Sequence, residues 1–375
     1  MSKTIKHEKR AKNTIKVIII FVLLFLIPSC KKIDKEDTVL PDNSVISSEE
    51  NENDNSSNNY QGENQHNDPD EPQLILETVD EGNVFFYSSE GFYRYGPSIM
   101  VYDNGSMDMW LSSPGNSGSQ WDWIEYRHSE DGINWSEGEI VLQPTSGSKD
   151  QCSVCDPAVI FFGDYYYMGY TATDYYAGKG TYNMAFVARS RYPDGPFEKW
   201  NGSGWGGSPE PIIFYDGGQD NWGIGEISFV VYEGDLCIYY TYIDVADRYI
   251  GLYKAGLTED WPAALRNKGP VLYRLDQDST EVVYDDNLQT FFAFTIENRM
   301  MEGSQVTLFE SKNGKDFTEV AYVKDKIEDY AHNMGVAKNS WGHVNTENEL
   351  LIGYAYGPNW GRWNAKTQHV TITKN

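Results

Sequence analysis

The chain has 375 residues, 14% of them aromatic, and a formal net charge of −26. A surface this acidic repels nucleic acid and other polyanions, which excludes those partners and leaves uncharged ligands. The length suffices for one large domain with a substantial core.

In chain order, residues 1–29 read as a targeting segment rather than part of a fold. Lys3, Lys6, Lys9, Arg10, Lys12 and Lys16 form a cationic start, followed by an unbroken apolar run over 17–27. That run is short for a permanent membrane span, which favours a cleaved signal peptide. It ends in Leu26-Ile27-Pro28-Ser29-Cys30, which resembles a bacterial lipobox, although the proline is unusual there. The resemblance implies a lipid on Cys30 and an extracytoplasmic, membrane-anchored protein of bacterial type. Residues 30–73 are rich in Asn, Ser, Asp and Glu and poor in large apolar groups. Such a stretch buries too little surface to offset its ordering entropy, and a disordered tether is expected.

Residues 74–375 change character: aromatics are dense, and short alternating runs are separated by Gly, Asn and Asp. This pattern predicts an all-β domain. One repeat runs through it, two strands joined by a tight turn. Its copies lie at 97–102 with 107–111, 156–162 with 165–171, 226–232 with 236–242, 281–284 with 291–295, and 334–337 with 350–356. Third strands follow at 123–128, 184–190, 249–255, 305–311 and 368–373. A spacing of about 50–70 residues suits one four-stranded propeller blade, so a single five-bladed β-propeller is expected over 74–375. A β-sandwich or two smaller β domains would not explain a fivefold recurrence. The last copy lacks an outer strand, which the spare apolar segment 74–87 can supply.

Cys152 and Cys155 form a lone C-x-x-C, and Cys237 lies in an apolar strand pattern. Without a second pair or histidines at ligand spacing, zinc is not indicated, and no metal ligands are assigned. A local disulfide and two free thiols are both compatible with the spacing.

In a propeller the first residues of each inner strand meet at one end of the central channel. Those residues are Arg94-Tyr95-Gly96, Asp156, Glu226, Glu281 and His332-Asn333. Aspartate before proline is common in turns, and a lone histidine is usually structural. Acids, an arginine and a histidine at equivalent repeat positions nevertheless point to a site.

Here the sequence resembles the glycoside hydrolases of family 43 and their five-bladed relatives in families 32, 62, 68 and 117. The resemblance rests on Cys155-Asp156-Pro157-Ala158-Val159-Ile160 with Gly163 and Tyr165-Tyr166-Tyr167, on Gly225-Glu226-Ile227-Ser228-Phe229-Val230-Val231, and on Ser129 to Trp135. It covers about 300 residues. It implies Glu226 as general acid and Asp156 as the carboxylate that orients groups and tunes its pKa. The general base implied for blade one is missing, because Gly96 stands there. Asp122, in Gln120-Trp121-Asp122-Trp123, is the candidate to replace it. Arg94, Glu281, His332 and Trp222 would bind and orient the sugar.

Trp121, Trp123, Trp205, Trp222, Trp341, Trp360 and Trp363 fall in loop-like sequence, where two or three are expected to meet a ligand and the rest to pack. The expected partner is a neutral oligo- or polysaccharide with pentose or furanose units, met by a monomer without a cofactor. Some relatives hold a calcium ion in the channel, and this sequence neither requires nor excludes one. The rival reading is a non-catalytic glycan-binding lipoprotein with a degenerate site, which Gly96 favours and the intact Asp156 and Glu226 oppose.

Overall fold

The computed structural model describes residues 74–374 apart from positions 90, 118–119, 176–180, 219–220, 274–278, 324 and 326. The expected signal peptide, Cys30 and the tether lie outside the described residues. Among the described residues the only helical element is the 3-10 turn Trp261–Ala264, and the fold is all-β.

The strands form five up-and-down antiparallel units among the described residues. Unit one comprises Tyr95–Val101, Met107–Ser117, Gln120–Ser129 and Glu139–Leu142. Unit two comprises Ser153–Phe162, Tyr165–Tyr175, Thr181–Ser190 and Glu198–Lys199. Unit three comprises Gly223–Tyr232, Asp235–Ile243, Arg248–Gly256 and Arg266–Leu272. Unit four comprises Thr280–Asp285, Thr290–Glu297, Gln305–Ser311 and Thr318–Glu319. Unit five comprises Ala331–Val336, Leu350–Tyr356 and Asn364–Lys374.

The fourth strand of unit five comes from the other end of the domain. Leu74–Thr78 pairs antiparallel with Asn364–Lys374, from Leu74 opposite Lys374 to Thr78 opposite Val370. Leu74 and Leu76 are buried in the core of units four and five. Each contributes about 1.5–3 kcal/mol by leaving water.

The first strand of each unit touches those of two others in a cycle that runs one, two, three, four, five and back to one. Each such inner strand is sandwiched between neighbouring units, which explains its nearly continuous apolar sequence. Alternate side chains serve the two sides: Phe229 and Val231 join the core with units one and two, while Val230 joins the core with unit four. Period two thus splits one strand between two interfaces.

The long connection in unit five crosses the far ends of the other four inner strands. The amide of Val101 donates to the carbonyl of Lys338 (2.9 Å), and that of Phe161 to Ser340 (3.0 Å). Val231 donates to Trp341 (2.9 Å), Tyr284 to Gly342 (3.1 Å) and Asp286 to Val344 (3.0 Å). The strap gives these strand-end amides backbone partners, a saving of about 1–3 kcal/mol wherever such a group is removed from water. Gly342 makes the close approach with φ +78°, where an added Cβ would lie 2.3 Å from the carbonyl oxygen of Phe229. Gly342→Ala is therefore expected to lower the unfolding free energy by about 2–4 kcal/mol in chemical denaturation. An unchanged midpoint would show that the strap is not seated as described.

Candidate active site

A regular strand with both faces packed has no side chain to spare for a central channel. Four inner strands solve this with a bulge near their start. The ladder slips between Tyr95 and Ser98, Cys155 and Ala158, Gly225 and Ser228, and His332 and Gly335. The first residue inside each slip has a left-handed backbone: Gly96 (φ 59°), Asp156 (φ 47°), Glu226 (φ 47°) and Asn333 (φ 45°). Glycine adopts this conformation freely, whereas other residues are strained there by about 1–3 kcal/mol. Two of the strained amides are caught by hydroxyls of the preceding unit. Asp156 N–H donates to Ser112 Oγ and Glu226 N–H to Thr171 Oγ1, both at 2.8 Å. Ser112 and Thr171 hold matching positions, opposite Tyr95 and Cys155 in their ladders.

The bulges bring Gly96, Asp156, Glu226 and Asn333 to one depression, which Glu281 also lines. Asn333 is its hub. Its Nδ2 donates to Asp156 Oδ1 (3.2 Å) and to Glu226 Oε1 (3.0 Å). Its Oδ1 lies 2.6 Å from His332 Nδ1 and 3.5 Å from Arg299 Nη2. With the amide nitrogen donating to two carboxylates, Oδ1 is the acceptor, and the proton of His332 sits on Nδ1. The Cys155 thiol donates to Asp156 Oδ2 at 3.2 Å. Burial pushes that thiol well above its ordinary pKa, with the charges of Asp156 and Asp122 adding to the shift. Cys155 is free, so the Cys152–Cys155 disulfide is not made.

Glu281 stands on a strand without a bulge, with regular pairing of Thr280 to Thr295 and of Glu281 to Phe294. It is paired with the buried ammonium of Lys338. Burial raises the pKa of Glu281 and the Lys338 charge opposes that rise. Lys338 is anchored by its backbone to Ile99 and Val101 of unit one, so its side chain bridges to unit four.

The remaining expected residues lie off the depression. Asp122 is buried, with Oδ1 accepting from Tyr93 OH (2.6 Å) and Oδ2 from Ser153 Oγ (2.8 Å). Arg94 pairs with Glu125 at 2.6 Å and lies over the Phe86 ring. Trp222 is half-buried and uses its carbonyl to cap Asn183 N–H. His332 is buried behind Asn333, with its ring against Trp363 (centroids 4.3 Å apart). Of the seven tryptophans in loop-like sequence, Trp121, Trp123 and Trp363 are buried. Trp360 is exposed at the pocket end, while the exposed Trp341 belongs to the far-end strap. Asn333 and Lys338 are the site residues without an assigned role in the sequence reading. Asn333 was detectable from its place just before Met334, matching Asp156 before Pro157 and Glu226 before Ile227.

Burial and then the Arg299 charge lower the pKa of His332 to about 3. The folded value lies below the ordinary 6.5, so His332 contributes its full stability above that pH and loses it as pH falls toward 3. The thermal midpoint is expected to fall between about pH 6.5 and 4, and to fall less in His332→Gln, as read by calorimetry. Equal slopes in both proteins would contradict this assignment.

The fold is all-β and of the kind found in propeller glycoside hydrolases. A family 117 glycoside hydrolase of the marine bacterium Zobellia galactanivorans is 17% identical, with TM-score 0.57 over 80% of this chain and 90% of that one. An α-L-arabinofuranosidase of Podospora anserina, solved with cellotriose, is 8% identical, with TM-score 0.55 over 81% and 97%. The catalytic domain of a family 62 α-L-arabinofuranosidase of Coprinopsis cinerea is 9% identical, with TM-score 0.55 over 81% and 98%. No family model and no curated protein matches the sequence.

Proposed function

We propose that the five units are blades of one β-propeller and that the protein is a glycoside hydrolase acting on a neutral glycan with arabinose- or xylose-type sugars. The observation that carries this reading is the pair of carboxylates Asp156 and Glu226, set on equivalent strained bulges and bridged by one amide. Strain of this kind persists where the surrounding structure imposes it, and it concentrates at functional sites. Glycosidic cleavage needs one carboxyl that protonates the leaving oxygen and a second that acts at the anomeric carbon. Glu226 is the proton donor and Asp156 its partner. The acidity of the chain favours an uncharged substrate. Two fold relatives are α-L-arabinofuranosidases, which supports a pentose.

Asp122 acts here as a positioning residue rather than a base, because both its oxygens are taken by Tyr93 and Ser153. Lys338 supplies the cation facing Glu281. The same proposal places the protein outside the cell as a monomer, held by a lipid on Cys30.

The glycan-binding alternative draws on Gly96, which removes the blade-one carboxylate. Purified protein assayed on aryl arabinofuranosides, aryl xylosides and arabinoxylan separates the two. The expected outcome is turnover that Glu226→Gln lowers by about 10²- to 10⁴-fold while KM changes little. Glycan binding without turnover, unaltered by Glu226→Gln, would leave the binding reading in its place.

A further inference from the structure

We propose that Cys155 is a positioning residue, whose thiol holds the Asp156 carboxylate in place through a hydrogen bond to Oδ2. The proposal rests on the hydrolase reading above and adds to it a group that governs Asp156.

In a regular strand adjacent side chains point to opposite faces and do not meet. A left-handed residue in a bulge breaks that alternation, so the residue before it can bond the bulged side chain. Units two and five use this in the same way. The Cys155 thiol donates to Asp156 Oδ2 at 3.2 Å, and His332 Nδ1 donates to Asn333 Oδ1 at 2.6 Å. Unit three has Gly225 in that place, where a Cβ would lie 2.4 Å from Thr171 Oγ1. Glu226 therefore receives no such bond from its predecessor. In unit one the predecessor of Gly96 is Tyr95. Its hydroxyl lies beside the Cys155 thiol, and its ring lies 6.3 Å from that of His332. Tyr95, Cys155 and His332 thus form an arc behind the bulged ring.

Asp156 is held from three units. Its amide donates to Ser112 Oγ of unit one, and its carboxylate accepts from Asn333 of unit five and from its neighbour Cys155. A buried cysteine is ordinarily a small apolar filler, but this thiol meets a carboxylate. Hydrogen bonding to the charged form of an acid favours that form. Around Asp156 stand Glu226 on unit three, Asp122 and Tyr95 on unit one, His332 and Arg299 behind Asn333, and the Glu281–Lys338 pair in the same depression. The neighbouring Glu226 and Asp122 oppose ionisation of Asp156, and the thiol counters them. Burial and the acids keep the proton on sulfur, so Cys155 remains a donor and an inert thiol.

The test is the pH dependence of hydrolysis of an aryl glycoside that the wild-type protein turns over. Cys155→Ala is expected to lower kcat by about 3- to 10-fold with KM little changed. Without the donor Asp156 takes up its proton more readily, so the acid limb of kcat/KM moves to higher pH. Cys155→Ser keeps a donor and is expected to restore most of the rate and the position of the limb. Infrared spectroscopy reads the contact itself through the S–H stretching band of Cys155, assigned by its loss in Cys155→Ser. That band is expected to move to higher frequency in Asp156→Asn, because a neutral amide accepts more weakly, and asparagine tolerates the left-handed backbone. A fixed acid limb in Cys155→Ala, equal losses in the alanine and serine variants, or a band unmoved by Asp156→Asn overturns the proposal and leaves the hydrolase reading intact. No turnover by the wild-type protein removes the hydrolase reading; the shift of the band then supports the thiol contact, and its constancy overturns it.

Discussion

The site depends on one backbone constraint, the left-handed bulge at the start of an inner strand. A strand packed between two neighbouring units sends its side chains alternately to each, and none is directed at the channel. Slipping the ladder by one residue frees a single side chain from that alternation. Repeated in units one, two, three and five, the device produces a ring of Gly96, Asp156, Glu226 and Asn333. Each non-glycine member is strained by about 1–3 kcal/mol. The hydroxyls of Ser112 and Thr171 help to hold two of them. The domain itself is closed by the Leu74–Thr78 strand, which completes unit five, and by the strap from Lys338 to Val344, which ties the far strand ends together.

The same geometry governs charge. The bulges bring two carboxylates within reach of one amide, and Asn333 joins them without adding a charge of its own. Its carbonyl oxygen is oriented by His332, which burial keeps neutral near physiological pH. A third carboxylate, Glu281, would add repulsion in the depression, and Lys338 offsets it. The pocket thus combines two neighbouring acids with a third whose charge is offset by a buried ammonium.

The hairpins were legible in the sequence because each pairs strands close along the chain, with turns marked by Gly, Asn and Asp. Asp156 and Glu226 were legible for a related reason: a polar residue ahead of an apolar run marks the start of an inner strand. His332 and Asn333 share that position, and only the ladder slip shows that Asn333 enters the pocket while His332 stands behind it. Asp122 and Arg94 looked available because sequence gives no sign of long-range partners such as Ser153 and Glu125. Lys338 illustrates the same limit. Its role depends on a backbone path through the ends of four other units, which leaves no local pattern beyond an unusually long connection.

The most direct test of the ring's role is a crystal structure of Glu226→Gln soaked with arabino- and xylo-oligosaccharides. The expected result is a sugar in the depression, its glycosidic oxygen within hydrogen-bond reach of the side chain at position 226 and its anomeric carbon facing Asp156. A glycan seated elsewhere on the domain, with Asp156, Glu226 and Asn333 untouched, would contradict the assignment of the bulged ring as the site of chemistry.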